Sequence, residues 1–165
     1  LCDKKENNLI ITDFNHEACV SPFERIFQEK NLNVKTQSLN NFSLDYDNII
    51  EKVDNNTKLV ILPHASNILG NILDIKYLNK KIKDKNKTTK ILVDGVAYMP
   101  HDIIDVDLLD IDYYIVSFYK FCGLRISALY IKDEKSSLAI FWGSNAVGLG
   151  MVFTLFWIGF SLAKG

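Results

Sequence analysis

The stretch of residues 90–120 constrains the fold of this chain more than any other part. Residues 91–93 form an apolar run, Ile-Leu-Val, which ends at Asp94. A second apolar run, rich in aromatic and β-branched residues, covers residues 113–118 and leads to Lys120. Short runs of this composition between turn residues are typical of buried β-strands. The stretch therefore predicts two core strands, joined by a loop that contains a short helical turn.

Strand-like and helix-like segments alternate before this stretch. Predicted strands cover residues 9–14, 34–39 and 58–63, and predicted helices cover residues 21–30, 44–53 and 74–85. We expect the first helix to begin at Ser21, because Ser-Pro-Phe-Glu joins a capping serine to a proline at the first helical position and a glutamate that closes a capping box. Strands that alternate with helices are typical of βαβ units and a mostly parallel sheet. The predicted fold class is therefore α/β.

The composition limits the size of the fold and the kinds of partner. With 165 residues, of which 48% are apolar and 12% aromatic, the chain suits one domain with a buried core. A net charge of −1 provides no field that attracts a polyanion, so we expect no nucleic-acid partner. The three cysteines, at positions 2, 19 and 122, show no paired spacing, which favours reduced thiols and a cytoplasmic protein.

The segment of residues 136–165 departs from this pattern. Residues 136–163 carry no charge, and this stretch exceeds the roughly 20 residues with which a helix crosses a bilayer. Three interpretations stay open: a membrane-spanning segment, a buried core helix with a glycine-rich loop, or foreign sequence from a change of reading frame. We divide the chain into an α/β part, residues 1–135, and a hydrophobic tail of uncertain origin, residues 136–165. We expect residues 136–163 not to pack on the sheet.

Side chains that suit one cofactor follow the ends of the predicted strands. The carboxyl ends of parallel strands meet at one edge, where open α/β sheets bind their ligands. Lys120 can form a Schiff base with an aldehyde cofactor, and Asp94 can keep a pyridinium nitrogen protonated. His16 can stack on a flat ring, and the amide of Asn67 can bind a phenolic oxygen. Together these groups describe a site for pyridoxal 5′-phosphate.

Three segments of the sequence resemble one family of proteins. They are HASNILGNILDI from residue 64, ILVDGVAYMPHDIIDVDLLDIDYYIVSFYKFCG from residue 91, and ALYI from residue 128. These segments resemble the class V aminotransferases, and within that family the cysteine desulfurases and desulfurase-like proteins. The resemblance covers roughly residues 8–132. It implies a pyridoxal-phosphate fold of type I, with three αβα layers around a mostly parallel sheet, of which this chain supplies part of the large domain.

The resemblance also implies a role for each residue at the strand ends. Lys120 matches the catalytic lysine that forms the Schiff base, and Asp94 matches the partner of the pyridine nitrogen. His16 matches the histidine that stacks on the ring. Asn67 matches the asparagine near the phenolic oxygen, and Ser117 matches a phosphate ligand. Taken singly, each of these residues is more often an ordinary surface or turn residue, so the assignment depends on the shared motif.

Several positions depart from the desulfurase pattern. Tyr119 stands where desulfurases have histidine, and the desulfurase-like branch has tyrosine there, so Tyr119 is included among the cofactor-binding residues. Ala97 replaces a glutamine that bonds the cofactor. The family's phosphate loop and its small C-terminal domain have no counterpart in these 165 residues. The spacing His16-x-x-Cys19 has no second half-site, so no metal site is predicted.

From these residues and the resemblance we predict a pyridoxal-phosphate-dependent enzyme of the class V aminotransferase or cysteine desulfurase-like type. Its substrate is expected to be an amino acid, and the chain is expected to be a fragment that can be inactive by itself. The resemblance implies a homodimer for the full-length protein, and membrane contact is expected only through residues 136–163. The alternative is a non-catalytic or membrane-anchored remnant of the same fold. The substrate and the reaction type stay open.

Overall fold

A seven-stranded sheet organises the protein. A computed structural model describes residues 7–38, 44–132 and 139–142. The strands are β1 (Asn8–Thr12), β2 (Asn33–Gln37), β3 (Thr57–Pro63), β4 (Lys90–Asp94), β5 (Tyr113–Ser117), β6 (Ile126–Ile131) and β7 (Ala139–Trp142). Their order across the sheet is β2-β1-β3-β4-β5-β6-β7. The strands from β1 to β5 pair in parallel and β6 and β7 pair antiparallel, which confirms the predicted α/β fold with a mostly parallel sheet.

Helices connect the parallel strands and cover both faces of the sheet. They are α1 (Glu17–Glu29), α2 (Tyr46–Lys52), α3 (Ile75–Lys85) and α4 (Val106–Leu109), and a 3₁₀ turn at Phe118–Phe121 follows β5. Because side chains alternate along a strand, Leu59 and Ile61 of β3 pack in the core beneath α1, whereas Val60 packs in the core beneath α2 and α3. The two cores make the three-layer αβα arrangement that the resemblance implies.

Helix α1 begins earlier than the sequence predicts. Its first residue is Glu17, and the N-cap is His16, whose Nδ1 accepts a hydrogen bond from the Ala18 N–H at 3.1 Å. Pro22 lies inside the helix rather than at its first position. The predicted start at Ser21 is therefore wrong, because a histidine nitrogen performs the capping that a serine more often provides. The earlier start holds His16 at a fixed position close behind β1.

Part of the hydrophobic tail joins the sheet. Strand β7 pairs with β6 in antiparallel register, with Ala139 opposite Leu129. The pairing satisfies backbone groups that an open edge of β6 would expose. The expectation that residues 136–163 lie off the sheet is therefore wrong for residues 139–142, and the rest of the tail lies outside the described residues. The division of the chain at residue 135 stays a prediction.

The helices of the described ranges are all too short or too polar to span a bilayer. The longest α-helices among them are α1, with 13 residues, and α3, with 11 residues. Both carry a buried apolar stripe on the side that faces the sheet, which is the pattern of a helix that packs on a core.

Candidate functional site

The residues predicted for the site converge at the carboxyl edge of the parallel strands. His16 follows β1, Asn67 follows β3, and Asp94 and Ser117 are the last residues of β4 and β5. A cavity of about 180 Å³ opens at this edge. Its lining includes all the predicted site residues: His16, Asn67, Asp94, Ser117, Tyr119 and Lys120. Residues far apart in the sequence thus face one space, while their roles toward a cofactor stay predictions.

Asp94 is the buried carboxylate of the cavity. The residue is 6% exposed, and its Oδ1 accepts a hydrogen bond from the Val96 N–H at 3.0 Å. Burial raises the pKa of the Asp94 carboxyl, and the hydrogen bond from the Val96 amide and the nearby His16 and Lys120 side chains offset part of this rise. A cation placed beside such a group stabilises its charged form. This part of the cavity therefore suits a protonated ring nitrogen.

The His16 ring lines the cavity at the start of α1, where the helix sets its position. Because Nδ1 accepts the Ala18 N–H, the neutral imidazole carries its proton on Nε2. The residue is exposed, so the capping contact leaves much of the ring accessible. A histidine held in this way can present a flat surface to a planar ligand.

Lys120 lies beside Tyr119 in the 3₁₀ turn that follows β5. Both residues are exposed, and the Lys120 Nζ lies 5.6 Å from the centroid of the Tyr119 ring. Cys122 ends the turn with a φ of 63°, and the Gly123 N–H donates to the Phe118 carbonyl at 2.9 Å. A Cβ at Gly123 would lie 2.8 Å from that carbonyl oxygen, so the turn requires a glycine there. The turn thus keeps the lysine at the cavity.

Ser117 provides a buried hydroxyl in the lining. Its Oγ lies 3.0 Å from the Oγ of Ser127, which is directly opposite on β6. The two residues are 1% and 6% exposed. A hydroxyl both donates and accepts, so Ser127 can donate to Ser117 while Ser117 directs its own proton toward an anion.

Asn67 belongs to a loop whose backbone is held by local hydrogen bonds. The Ser66 Oγ accepts the Ile68 and Leu69 N–H groups, at 3.3 and 3.1 Å. Gly70 has a φ of 74°, a left-handed conformation that suits glycine. The loop therefore keeps Asn67, an exposed residue, at the rim of the cavity.

The sequence does not reveal the apolar half of the lining. The remaining lining residues are Phe14, Ala18, Pro63, Ala65, Val96 and Ala97. Ala97 faces the cavity at the position where the resemblance expects a glutamine, so this departure lies within the site. The apolar residues contribute no chemical motif, and only the fold brings them together.

A second feature that sequence reasoning misses lies next to Asp94. His64 and Tyr114 are buried, and the Tyr114 hydroxyl lies 2.7 Å from the His64 Nδ1. The two residues are 50 positions apart, so no local pattern pairs them. Among the described residues, no group of three or more His, Cys, Asp or Glu side chains is arranged to hold a metal ion.

Comparison with known proteins gives one family. Residues 3–147 match the family model described as Aminotransferase class-V. The chain is 38% identical over 146 residues to the aminotransferase-like protein FGM3 of Gibberella zeae, which covers 84% of this chain and 36% of that protein. It is 36% identical over 133 residues to a cysteine desulfurase of Wigglesworthia glossinidia brevipalpis, which covers 79% of this chain and 32% of that protein. The chain thus spans about a third of the length of these relatives.

Solved structures share the fold. A NifS-like protein has a TM-score of 0.73 at 24% identity, over 98% of this chain and 48% of that one. The cysteine desulfurase CsdA from Escherichia coli, in an S-sulfonic acid form, has a TM-score of 0.69 at 23% identity, over 93% of this chain and 45% of that one. At these identities the likeness shows the fold alone.

Proposed function

The chain belongs to the class V aminotransferase family, and on that premise we propose that it forms part of a pyridoxal-phosphate-dependent enzyme acting on an amino acid. Members of this family use pyridoxal 5′-phosphate. Because the chain spans about a third of its relatives, the proposal includes residues from elsewhere in a longer protein that complete the site. When bound, the cofactor ring withdraws electrons from the bonds at the substrate α-carbon.

The observation that carries the proposal is the position of Asp94 and Lys120 on one cavity. Asp94 is buried and its pKa is raised, so its charged form gains from a cationic partner. A protonated pyridine nitrogen is such a partner. Lys120 supplies a primary amine, which can bind the aldehyde carbon of the cofactor covalently. Asp94 therefore suits the pyridine nitrogen of the cofactor, and Lys120 suits its aldehyde.

The other lining residues fit the remaining groups of the cofactor. We assign the ring face to His16, which the N-cap contact orients, and the phenolic oxygen to Asn67. We assign a phosphate oxygen to the Ser117 hydroxyl, supported by Ser127. Tyr119 borders Lys120, and its ring lines the same cavity. Ala97 cannot replace the glutamine of desulfurases, which removes a contact worth on the order of 1 kcal/mol.

We further propose an amino-acid substrate, a homodimeric full-length protein and a reducing compartment. The substrate and the dimer follow from the family resemblance. The compartment is supported by Cys19 and Cys122, which are free thiols. The competing hypothesis of a non-catalytic remnant expects the reactive residues to be lost, whereas both Lys120 and Asp94 are kept, so we favour the enzyme.

Titration of the full-length protein with pyridoxal phosphate tests the proposal. We expect a visible absorbance band from the lysine-bound cofactor, which the Lys120→Ala variant loses although it retains weak non-covalent binding. Lys87→Ala is the matched control, because Lys87 is an exposed lysine in the loop before β4, at the opposite edge of the sheet, and should leave the band unchanged. A band of equal strength in Lys120→Ala and in the wild type would reject the proposal.

A further inference from the structure

A buried cluster outside the cavity lining ends on the backbone of Asp94. His64, the residue after β3, is 6% exposed, and Tyr114 of β5 is 3% exposed. The Tyr114 hydroxyl and the His64 Nδ1 are 2.7 Å apart. The backbone N–H of His64 donates to the Asp94 carbonyl at 2.8 Å. The two neighbours of β4 therefore each place one residue of this cluster beside the end of β4: His64 follows β3, and Tyr114 belongs to β5.

The hydrogen bond of the pair joins two neutral side chains. Burial lowers the pKa of His64 to about 4, although the charge of Asp102 opposes this change. Burial also raises the pKa of the Tyr114 hydroxyl, and the nearby Asp94 and Tyr98 raise it further. Both side chains are therefore neutral near pH 7. They share one neutral hydrogen bond, and the imidazole tautomer sets which of the two donates.

The Tyr114 ring also determines the path of the chain after Asp94. A Cβ on Gly95 would lie 2.0 Å from the ring carbon Cε1 and 2.3 Å from the hydroxyl oxygen, so the ring occupies the space of a side chain. The Gly95 N–H donates to the Ile115 carbonyl of β5 at 2.9 Å. The next residue, Val96, is the one whose amide holds the Asp94 carboxylate. The ring thus packs on the peptide that places this amide.

A second tyrosine holds the other side of the imidazole. The Tyr98 ring stacks on the His64 ring, with centroids 3.7 Å apart and planes inclined by 21°. The Tyr98 hydroxyl donates to the Asp102 Oδ2 at 3.0 Å. His64 is therefore packed between two tyrosines, of which one stacks on it and the other meets it edge-on. Its freedom to turn away from Tyr114 is small.

We propose that Tyr114, His64 and Gly95 are positioning residues, which hold the turn after β4 so that the Val96 amide directs the Asp94 carboxylate into the cavity. They act through Asp94 and do not touch the cofactor. The inference rests on the proposed function only for the identity of the ligand group that binds beside Asp94. The orientation of the carboxylate itself is a property of the protein without a ligand and can be measured there.

The test compares Tyr114→Phe with Tyr130→Phe in the full-length protein. Tyr130 lies opposite Tyr114 on β6, so its substitution removes the same atom from the neighbouring strand. Amide hydrogen exchange is followed at Val96, which donates to Asp94, and at Ile91, which donates to Asp112 at 2.9 Å near the other end of β4. Ile91 reports on the stability of the strand, whereas Val96 reports on the turn.

Loss of one hydrogen bond should accelerate Val96 exchange in Tyr114→Phe roughly two- to tenfold more than Ile91 exchange. The dissociation constant of pyridoxal phosphate should rise by a similar factor, and Tyr130→Phe should change neither quantity. Equal acceleration at both amides, or none at Val96, would overturn the positioning role. If the wild type binds no cofactor, the proposed function fails, and the exchange data alone still decide the positioning role.

A second variant covers the case in which Tyr114→Phe does not fold. Tyr98→Leu removes the stacked ring from a half-exposed position, so the core stays intact. It should accelerate Val96 exchange in the same sense as Tyr114→Phe, by a smaller factor, because His64 then keeps its hydrogen bond but loses its lateral support. Unchanged Val96 exchange in this variant would contradict the inference.

Discussion

Asp94 and Asp112 have almost equal exposure, 6% and 7%, and lie at opposite ends of the parallel strands. Asp112 directly precedes β5, and its carboxylate contacts the Nζ of Lys83 at 2.7 Å and the Nζ of Lys90 at 2.8 Å. Burial alone would raise the pKa of Asp112, but the hydrogen bonds from Lys83 and Lys90 outweigh burial and the pKa is lowered. The Ile91 N–H adds a third donor.

Asp94 has a similarly low exposure, lies deeper among protein atoms and has weaker compensation. Its carboxylate accepts the Val96 N–H, while the nearby His16 and Lys120 act on it electrostatically, and burial still leaves its pKa raised. Low solvent exposure alone therefore does not separate a structural carboxylate from one available to a ligand. The two carboxylates differ in the donors that contact them. Asp112 accepts from Lys83, Lys90 and the Ile91 amide, whereas the Val96 amide offsets the burial of Asp94 only in part.

The largest expected difference between the two aspartates is in the rate of the reaction at the cofactor. Asp94→Asn keeps the shape of the side chain but removes the charge that we propose lies opposite the ring nitrogen. In the full-length protein, the spectral change after addition of an amino-acid substrate should slow by on the order of a hundredfold, typical for removal of one preorganised electrostatic group, while cofactor binding weakens much less. Asp112→Asn should react at nearly the wild-type rate. Equal slowing in both variants would remove the distinction between the two aspartates.

The next largest effect concerns stability without cofactor. Asp112→Asn leaves two lysines without their carboxylate, and because both are partly exposed we expect a loss of about 2 kcal/mol in the free energy of unfolding, between the values for exposed and buried ion pairs. Denaturant unfolding measures this loss. Asp94→Asn should instead unfold at the same or a higher denaturant concentration, because it removes a buried, poorly compensated charge. A larger loss in Asp94→Asn than in Asp112→Asn would reverse the comparison.

A smaller effect is the pH dependence of these stabilities. The pKa of Asp112 is lowered by folding, so its contribution is present above the unfolded pKa of about 3.9 and is lost as the pH falls through the folded value. The pKa of Asp94 is raised, so its contribution is present below about pH 3.9 and is lost as the pH rises through the folded value.

Stability measured from pH 3 to pH 7 should therefore separate the two variants, with about pH 4 as the point of divergence. Relative to the wild type, Asp112→Asn should become less stable and Asp94→Asn more stable as the pH rises. Both differences should shrink at the acid end of the range. Parallel curves for the two variants would show that the two carboxylates are not compensated differently.

The sequence predicts the carboxyl edge well, because that edge depends on local patterns. Apolar runs of strand length end at Asp94 and near Lys120, and parallel strands bring such ends together. Aspartates at helix starts are equally local signals, and Asp45 and Asp74 cap α2 and α3 where the helices are expected. Each of these features depends on a few consecutive residues.

The features that the sequence does not predict depend on contacts between distant residues or on uncommon local choices. A histidine is a rare N-cap, so the start of α1 is misplaced. The pairing of β7 with β6 involves an apolar stretch whose composition suits several structures equally. The bond between His64 and Tyr114 requires the three-dimensional order of β3, β4 and β5, which no window of sequence contains.

We propose that pyridoxal phosphate binds at the carboxyl edge of this sheet through Lys120. Borohydride reduction of the full-length protein in the presence of the cofactor, followed by peptide mapping, tests it most directly, because reduction makes the lysine linkage permanent. We expect one pyridoxyl group on the peptide that contains Lys120, and its loss in Lys120→Ala. A pyridoxyl group on another lysine, or none on any peptide, would show that Lys120 is not the lysine that binds the cofactor.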